Sequence, residues 1–175
     1  MRALGITAIA TFALDQASKW GVVQALNLQE RGEIDVLPPL LNFRMAWNKG
    51  VNFGLLSNSA DVMRWVLCFV AVAISAWVLI WVRREKAGRW AQISAGLLIG
   101  GALGNVIDRM YYGAVADFLN MSCCGLENPY SFNIADIAIF AGAIGLVVFM
   151  GKPNGDKPAV GAGKVALPRK SRKTP

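Results

Sequence analysis

Two uncharged runs of eighteen residues, Trp65 to Val82 and Trp90 to Ile107, are separated only by a short segment carrying Arg83, Arg84, Lys86 and Arg89. A helix needs about 20 mostly apolar residues to cross the ~30 Å hydrocarbon core of a bilayer. Two buried helices of a soluble bundle would not need runs this long, so the pair is read as two membrane-spanning helices joined by a basic loop. Trp65, Trp81 and Trp90 stand at the ends of the runs, where indole rings prefer the membrane interface. A composition of 55% hydrophobic against 17% charged residues is likewise too apolar for an ordinary soluble domain.

The rest of the chain divides around that pair. An apolar run from Ala3 to Leu14 resembles a signal peptide, but Asp15 and Lys19 fall where a cleavable core should end in small neutral residues. The apolar pattern resumes at Trp20, so the segment is read as an uncleaved first span. Residues 27–60 are too polar to cross. Within them Leu41, Phe43, Met45 and Trp47 alternate with Asn42, Arg44 and Ala46, the period of a half-buried strand. Asn48-Lys49-Gly50 offers a turn, with Val51-Asn52-Phe53-Gly54 as a returning strand.

The expected fold is therefore a mainly α membrane protein: a four-transmembrane-helix bundle with a small extracytoplasmic β-sheet formed by the first outer loop. The helices fall at about 4–26, 62–82, 90–110 and 133–151, making one domain over 1–151, and 110–131 is read as loop. Residues 152–175 form a disordered basic tail, placed to touch anionic lipid.

Basic residues set the orientation. The 83–89 loop has four Lys or Arg and the tail seven, whereas the 110–132 loop has none, so both termini are expected in the cytoplasm and both large polar loops outside. The net charge of +7 raises the question of nucleic acid, but seven basic residues and Asp156 in the tail supply +6 of it. No basic face with interleaved aromatics is left over.

The chain has no histidine, which removes the Ser-His-Asp triad, the Cys-His dyad and the HExxH zinc site. Cys68 and the adjacent Cys123-Cys124 fit no CxxC metal spacing; the adjacent pair reads as incidental thiols or a loop disulfide. Carboxylate chemistry remains. Gly104-Asn105-Val106-Ile107-Asp108-Arg109, Asp117 in the following loop, and Asn133-Ile134-Ala135-Asp136 gather charges at the mouths of two apolar helices, where each ion costs about 2.5–3.5 kcal/mol at mid-bilayer depth.

If Asp117 and Asp136 meet in a partly dehydrated site, they cannot both ionise cheaply, and the pair holds one proton near neutrality. One carboxylate can then take a proton from attacking water while the other serves the oxyanion and leaving amine of a peptide bond. Asp136 falls in the first turn of its helix, where the dipole favours negative charge, and Asn133 with Asp136 also reads as a capping box.

Asp15 and Lys19 are four residues apart and share a helical face, either neutralising each other or propping a polar site. Arg109 reads as a structural or substrate-binding cation with Asp108 orienting it or a loop backbone; surface snorkelling is the other reading. Gly96, Gly100 and Gly104 make a side-chain-free stripe that lets another backbone approach. Oxygen-only metal binding ranks low, because such sites want more ligands than these.

Four blocks carry a family resemblance: Asp15-Gln16-Ala17-Ser18-Lys19; Asn48-Lys49-Gly50-Val51-Asn52-Phe53-Gly54; Gly100 through Arg109 with Val115-Ala116-Asp117-Phe118; and Phe132-Asn133-Ile134-Ala135-Asp136. Together and in order they resemble the lipoprotein signal peptidases, the bacterial signal peptidase II family. The resemblance implies a cofactor-free aspartyl endopeptidase of the bacterial inner membrane. Such an enzyme removes the signal peptide from diacylglyceryl-modified prolipoproteins, just before the lipidated cysteine.

It further implies Asp117 and Asp136 as the catalytic dyad, supported by Asp15, Lys19, Asn48, Gly50, Asn105, Asp108, Arg109 and Asn133. No metal is implied. The expected partners are the prolipoprotein, membrane phospholipid and cyclic peptide inhibitors of the globomycin type, acting on a monomer. Asn52 replaces the small apolar residue usual in the family, and Cys123-Cys124-Gly125 lies outside its pattern. Two other classes compete, a proton-coupled transporter and a scaffold subunit. The carboxylates cluster at one face, and the chain has no internal repeat of the kind alternating access uses.

Overall fold

In the computed structural model the described residues are 1–50, 59–122 and 128–150. The expectations for Val51–Gly54, Asn52, Cys123, Cys124 and the tail lie outside them. The elements in order are α1 (Arg2–Lys19), a π-helical segment (Trp20–Ala25), α2 (Leu28–Arg31), β1 (Glu33–Leu37), β2 (Leu41–Asn48), α3 (Ser59–Arg84), α4 (Arg89–Tyr112), β3 (Val115–Asn120) and α5 (Ile134–Met150).

Helices occupy all four expected segments. α3 from Asp61 and the whole of α4 are long and apolar enough to cross a membrane, and α5 is apolar but shorter. At 1.5 Å per residue the 24 residues of α4 reach about 36 Å. Large apolar side chains face outward on every long helix: Ile6 and Leu14 on α1, Trp65, Phe69 and Trp77 on α3, Phe140 and Val147 on α5. An apolar sheath this extensive suits lipid as the surrounding solvent.

The interior is built from small residues. α4 is the central helix, with α1, α3 and α5 packed around it. A methyl added at Gly96 would sit 2.7 Å from the Leu4 carbonyl oxygen of α1, and one at Gly101 2.5 Å from the Ala135 carbonyl oxygen of α5. The glycine stripe of α4 is thus filled from within the chain, by α1. Leu4, Val78, Val82, Ala95, Leu98, Ile99 and Leu146 close the end of the bundle away from the sheet.

The sheet has the order β1-β2-β3, all antiparallel. It departs from the sequence expectation, because its third strand comes from the second large loop and carries Asp117. Val115–Asn120 is buried at every position but Leu119, so it lacks the alternation that marks a half-exposed strand. β2 and β3 pair as Phe43↔Leu119 and then Ala46↔Asp117, so Arg44 and Met45 bulge opposite Phe118. Phe118 plugs a second cluster with Val22 and Leu28, edge-on to Phe43 at 5.7 Å. The π turns after Lys19, with a bond from the Leu26 amide to the Gly21 carbonyl, supply Val22 to that cluster.

Candidate active site

Three charged groups are buried where α1 meets α4. Asp15 is 0% exposed, Asp108 1% and Lys19 6%. Lys19 Nζ lies 2.8 Å from Asp15 Oδ2 and 2.8 Å from Asp108 Oδ2, and donates to Asn105 Oδ1 at 3.1 Å. The sequence spacing anticipates the Asp15 pair; the Asp108 pair is a long-range contact. Gln16, not singled out as a site residue from sequence, donates to Asp108 Oδ1 at 3.0 Å and to the Gly104 carbonyl at 3.3 Å. Buried charges persist only when paired and hydrogen-bonded, and these are both. Backbone amides complete the set: Ala135 N–H donates to Asp15 Oδ1 at 2.9 Å, and Ala116 N–H donates at 3.2 Å to Asp108 Oδ2, the same oxygen that faces Lys19.

The second layer is a chain of amides. Asn105 Nδ2 donates to Asp136 Oδ1 at 2.9 Å, and Asn105 Oδ1 accepts from Asn133 Nδ2 at 3.3 Å. Asn133, fully buried, donates from the same Nδ2 to Asp117 Oδ1 at 2.6 Å. The capping box is present too: the Asp136 amide donates to Asn133 Oδ1 at 2.9 Å, and the Asn133 amide to Asp136 Oδ2 at 3.2 Å. Capping and site geometry coincide, and each of the two carboxylates is one hydrogen bond from Asn133.

Asp117 is 3% exposed, and its carboxyl is pushed up to about 6, first by burial and then by the charge of Asp136. Hydrogen bonds from Asn48 and Asn133 and the charge of Lys19 pull the other way. At pH 7 such a group keeps its proton in roughly one molecule in ten. The site therefore holds that proton firmly only below about pH 6, and the two amide donors with the Lys19 charge account for the weaker grip than the bare sequence pattern suggests.

Asn48 ends β2 opposite Val115, and its Oδ1 accepts the Gly50 amide at 3.0 Å. Gly50 has φ +84°, and a side chain there would strike Leu67. Among the described residues Arg109 takes no carboxylate: its Nη1 donates to the Asn105 carbonyl at 3.2 Å, and Asp108 turns instead to Lys19 and the Ala116 backbone. With Asn105, Leu67, Ile74 and Ile139, Arg109 lines a mostly apolar cavity of about 450 Å³ between α3, α4 and α5. Asn120, missed from sequence, is fully buried and ties the loop after β3 by donating to the Asn128 and Tyr130 carbonyls at 2.7 and 3.0 Å.

Helices in an apolar sheath around a polar, carboxylate-bearing interior have a solved counterpart. Two structures, each described as a bacterial membrane enzyme, superpose at TM-scores of 0.71 and 0.69 with 26% identity; the first covers 87% of this chain and 94% of its own, the second 91% and 93%. The chain belongs to the signal peptidase II family, whose model, described as signal peptidase (SPase) II, matches residues 7–152. Similar curated proteins are the lipoprotein signal peptidases of Methylobacterium sp. (strain 4-46), 42% identical over 81% of this chain and 84% of the relative, and of Pseudomonas aeruginosa (strain PAO1), 36% identical over 85% and 88%.

Proposed function

We propose that this protein is an intramembrane aspartyl endopeptidase that cleaves signal peptides from diacylglyceryl-modified prolipoproteins just before the lipidated cysteine, with Asp117 and Asp136 as its dyad. The observation that carries the aspartyl reading is Asn133, which bonds to both residues at once. Asp136 lies in the first turn of α5, at the positive end of the helix dipole, while Asp117 is the buried partner raised to about 6. Substrate that displaces water from the cleft raises the proton affinity of Asp117 further.

In the reaction Asp136 takes a proton from water as the water oxygen bonds to the scissile carbonyl carbon. Protonated Asp117 hydrogen-bonds the oxyanion and then passes its proton to the amine as the C–N bond breaks. The proton gained by Asp136 restores the shared one. Asn105 and Asn133 hold the two carboxyl groups, Asp15, Lys19 and Asp108 hold the backbone behind them, and Asn48 on Gly50's turn faces Asp117 from the sheet. Arg109 lines the apolar cavity together with Asn105, the hydrogen-bond partner of Asp136, and is assigned to substrate.

Four helices span the bilayer, α1 with its π segment, α3, α4 and α5, with both termini cytoplasmic and the sheet on the outer face of the bacterial inner membrane. The diacylglyceryl chains then stay in lipid while the cysteine is held at the interface, so the membrane supplies part of the proximity. Globomycin-type cyclic peptides would occupy the same cleft, and the protein acts as a monomer with a basic tail over 152–175.

The test is cleavage of a diacylglyceryl-modified prolipoprotein by the purified full-length protein. Wild type should cut, and Asp117→Asn and Asp136→Asn should each fold yet lose nearly all turnover, because an amide neither accepts the water's proton nor acts as an acid. Retained turnover in either variant removes that residue from the dyad.

A further inference from the structure

The two dyad aspartates lie on different elements, and each is preceded by an alanine whose backbone amide is spoken for. Ala116 N–H, before Asp117, donates to Asp108 Oδ2; Ala135 N–H, before Asp136, donates to Asp15 Oδ1. Those two carboxylates are joined by one atom, Lys19 Nζ, at 2.8 Å from each. A continuous path runs from one catalytic backbone to the other: Ala116 amide, Asp108, Lys19, Asp15, Ala135 amide. Every side chain on it is buried, and Gln16 and Asn105 brace it from the flanks.

We infer that Lys19 is a positioning residue that sets the separation of Asp117 and Asp136, acting as a caliper whose two arms are Asp108 and Asp15. This rests on the reading of those aspartates as the dyad. A tie that only neutralised charge would not need to end on the two amides next to the catalytic residues. Only short side chains intervene, so a longer cation moves Asp108 and Asp15 apart, and β3 and the head of α5 with them. Misplacement on the scale of 1 Å costs on the order of 100-fold in rate. It also weakens the field of Asp136 at Asp117, which now helps keep that carboxyl raised.

The groups facing Asp117 are Asp136 from α5, Asn133 before it, Asn48 from β2 and Lys19 from α1. Those facing Lys19 are Asp15 on its own helix and Asp108 and Asn105 on α4. Lys19→Arg and Asp108→Glu preserve every charge in this set and lengthen one member of the path. The experiment uses full-length protein in detergent and reads three quantities: melting temperature, kcat and KM on a diacylglyceryl-modified prolipoprotein, and the infrared carbonyl stretch of protonated Asp117 against pH, assigned by its loss in Asp117→Asn.

The expected result is a drop in kcat of about 100-fold with KM near wild type, and an Asp117 titration displaced to lower pH, in whichever of the two variants folds. Wild-type kcat and an unmoved titration in a folded variant overturn the caliper. So does a loss of activity that only tracks the folded fraction. Failure of the dyad reading looks different: wild type then leaves the substrate uncut, or Asp117→Asn still cuts it. Neither of those outcomes depends on Lys19.

Discussion

Leu119 and Phe132 exchange both backbone hydrogen bonds, the Phe132 amide to the Leu119 carbonyl at 2.9 Å and the Leu119 amide back at 2.8 Å. This single bridge closes the loop between β3 and α5, with Asp117 two residues before it and Asn133 one residue after. Asp117 and Asp136, the proposed dyad, are therefore brought together by backbone pairing, and the side-chain bonds of Asn133 refine that placement.

Asn133 is the first residue to test on that basis. Asn133→Ala removes the cap of α5, worth about 0.5–2 kcal/mol, and the hydrogen bond that holds the proton affinity of Asp117 down. Without that bond the carboxyl of Asp117 rises further. We expect a modestly less stable enzyme whose alkaline limb of kcat/KM against pH, near 6 in wild type, moves upward. A limb that stays in place, or moves down, contradicts the role given to Asn133.

The burial of Asp117 has a consequence for stability. Its folded-state proton affinity exceeds the unfolded one, so protonation favours the folded form. That contribution is complete below about pH 4 and is lost as pH rises through about 6, amounting on the order of 3 kcal/mol for a shift from 3.8 to about 6. Asp117→Asn carries no such charge. We expect it to melt above wild type at pH 8, with the gap closing toward pH 4; an Asn variant that melts below wild type at pH 8 would show that the ionised group is not under this penalty.

How much of this was legible from sequence depends on the range of the interaction. The helices were legible because uncharged runs of eighteen residues leave few alternatives, and Asp15 with Lys19 because i,i+4 spacing is local. The Lys19–Asp108 pair was not, since nothing local in either helix says that they face each other. β3 was hidden because both its faces are buried and its pattern has no period, whereas Glu33-Ile34-Asp35-Val36 in β1 does alternate and was readable by the rule that found β2. The glycine stripe announced a close approach without naming α1 as the helix that makes it.

Asn120 tests the loop that follows β3, the strand of Asp117. Its amide satisfies two carbonyls in a fully buried position, and its Oδ1 accepts the Ser122 hydroxyl at 2.8 Å. Asn120→Ala strands the carbonyls of Asn128 and Tyr130, at about 1–3 kcal/mol each if water cannot reach them. Asn120→Asp should be worse at neutral pH, since it aims a carboxylate at those same oxygens. Melting curves that rank wild type, then Ala, then Asp fit this network; an Asp variant as stable as wild type does not.

Gly104 is where the packing of the bundle meets the chemistry. An added methyl there lands 2.5 Å from Asp15 Oδ2, the oxygen that holds Lys19, with no flexible tail to give way. Gly21, in the π segment, would meet nothing within 4 Å. Helix propensity favours alanine over glycine at both by roughly 0.5–1 kcal/mol, so the two substitutions differ only in what the methyl strikes. We expect Gly21→Ala to be neutral or slightly stabilising and fully active. Gly104→Ala should displace Asp15 and lower the melting temperature by an overpacking cost of about 1–3 kcal/mol, with cleavage falling further than stability alone explains, because the displaced carboxylate also holds the Ala135 amide next to Asp136. Equal behaviour of the two variants would mean that Asp15 accommodates the methyl and that Gly104 has no bearing on the site.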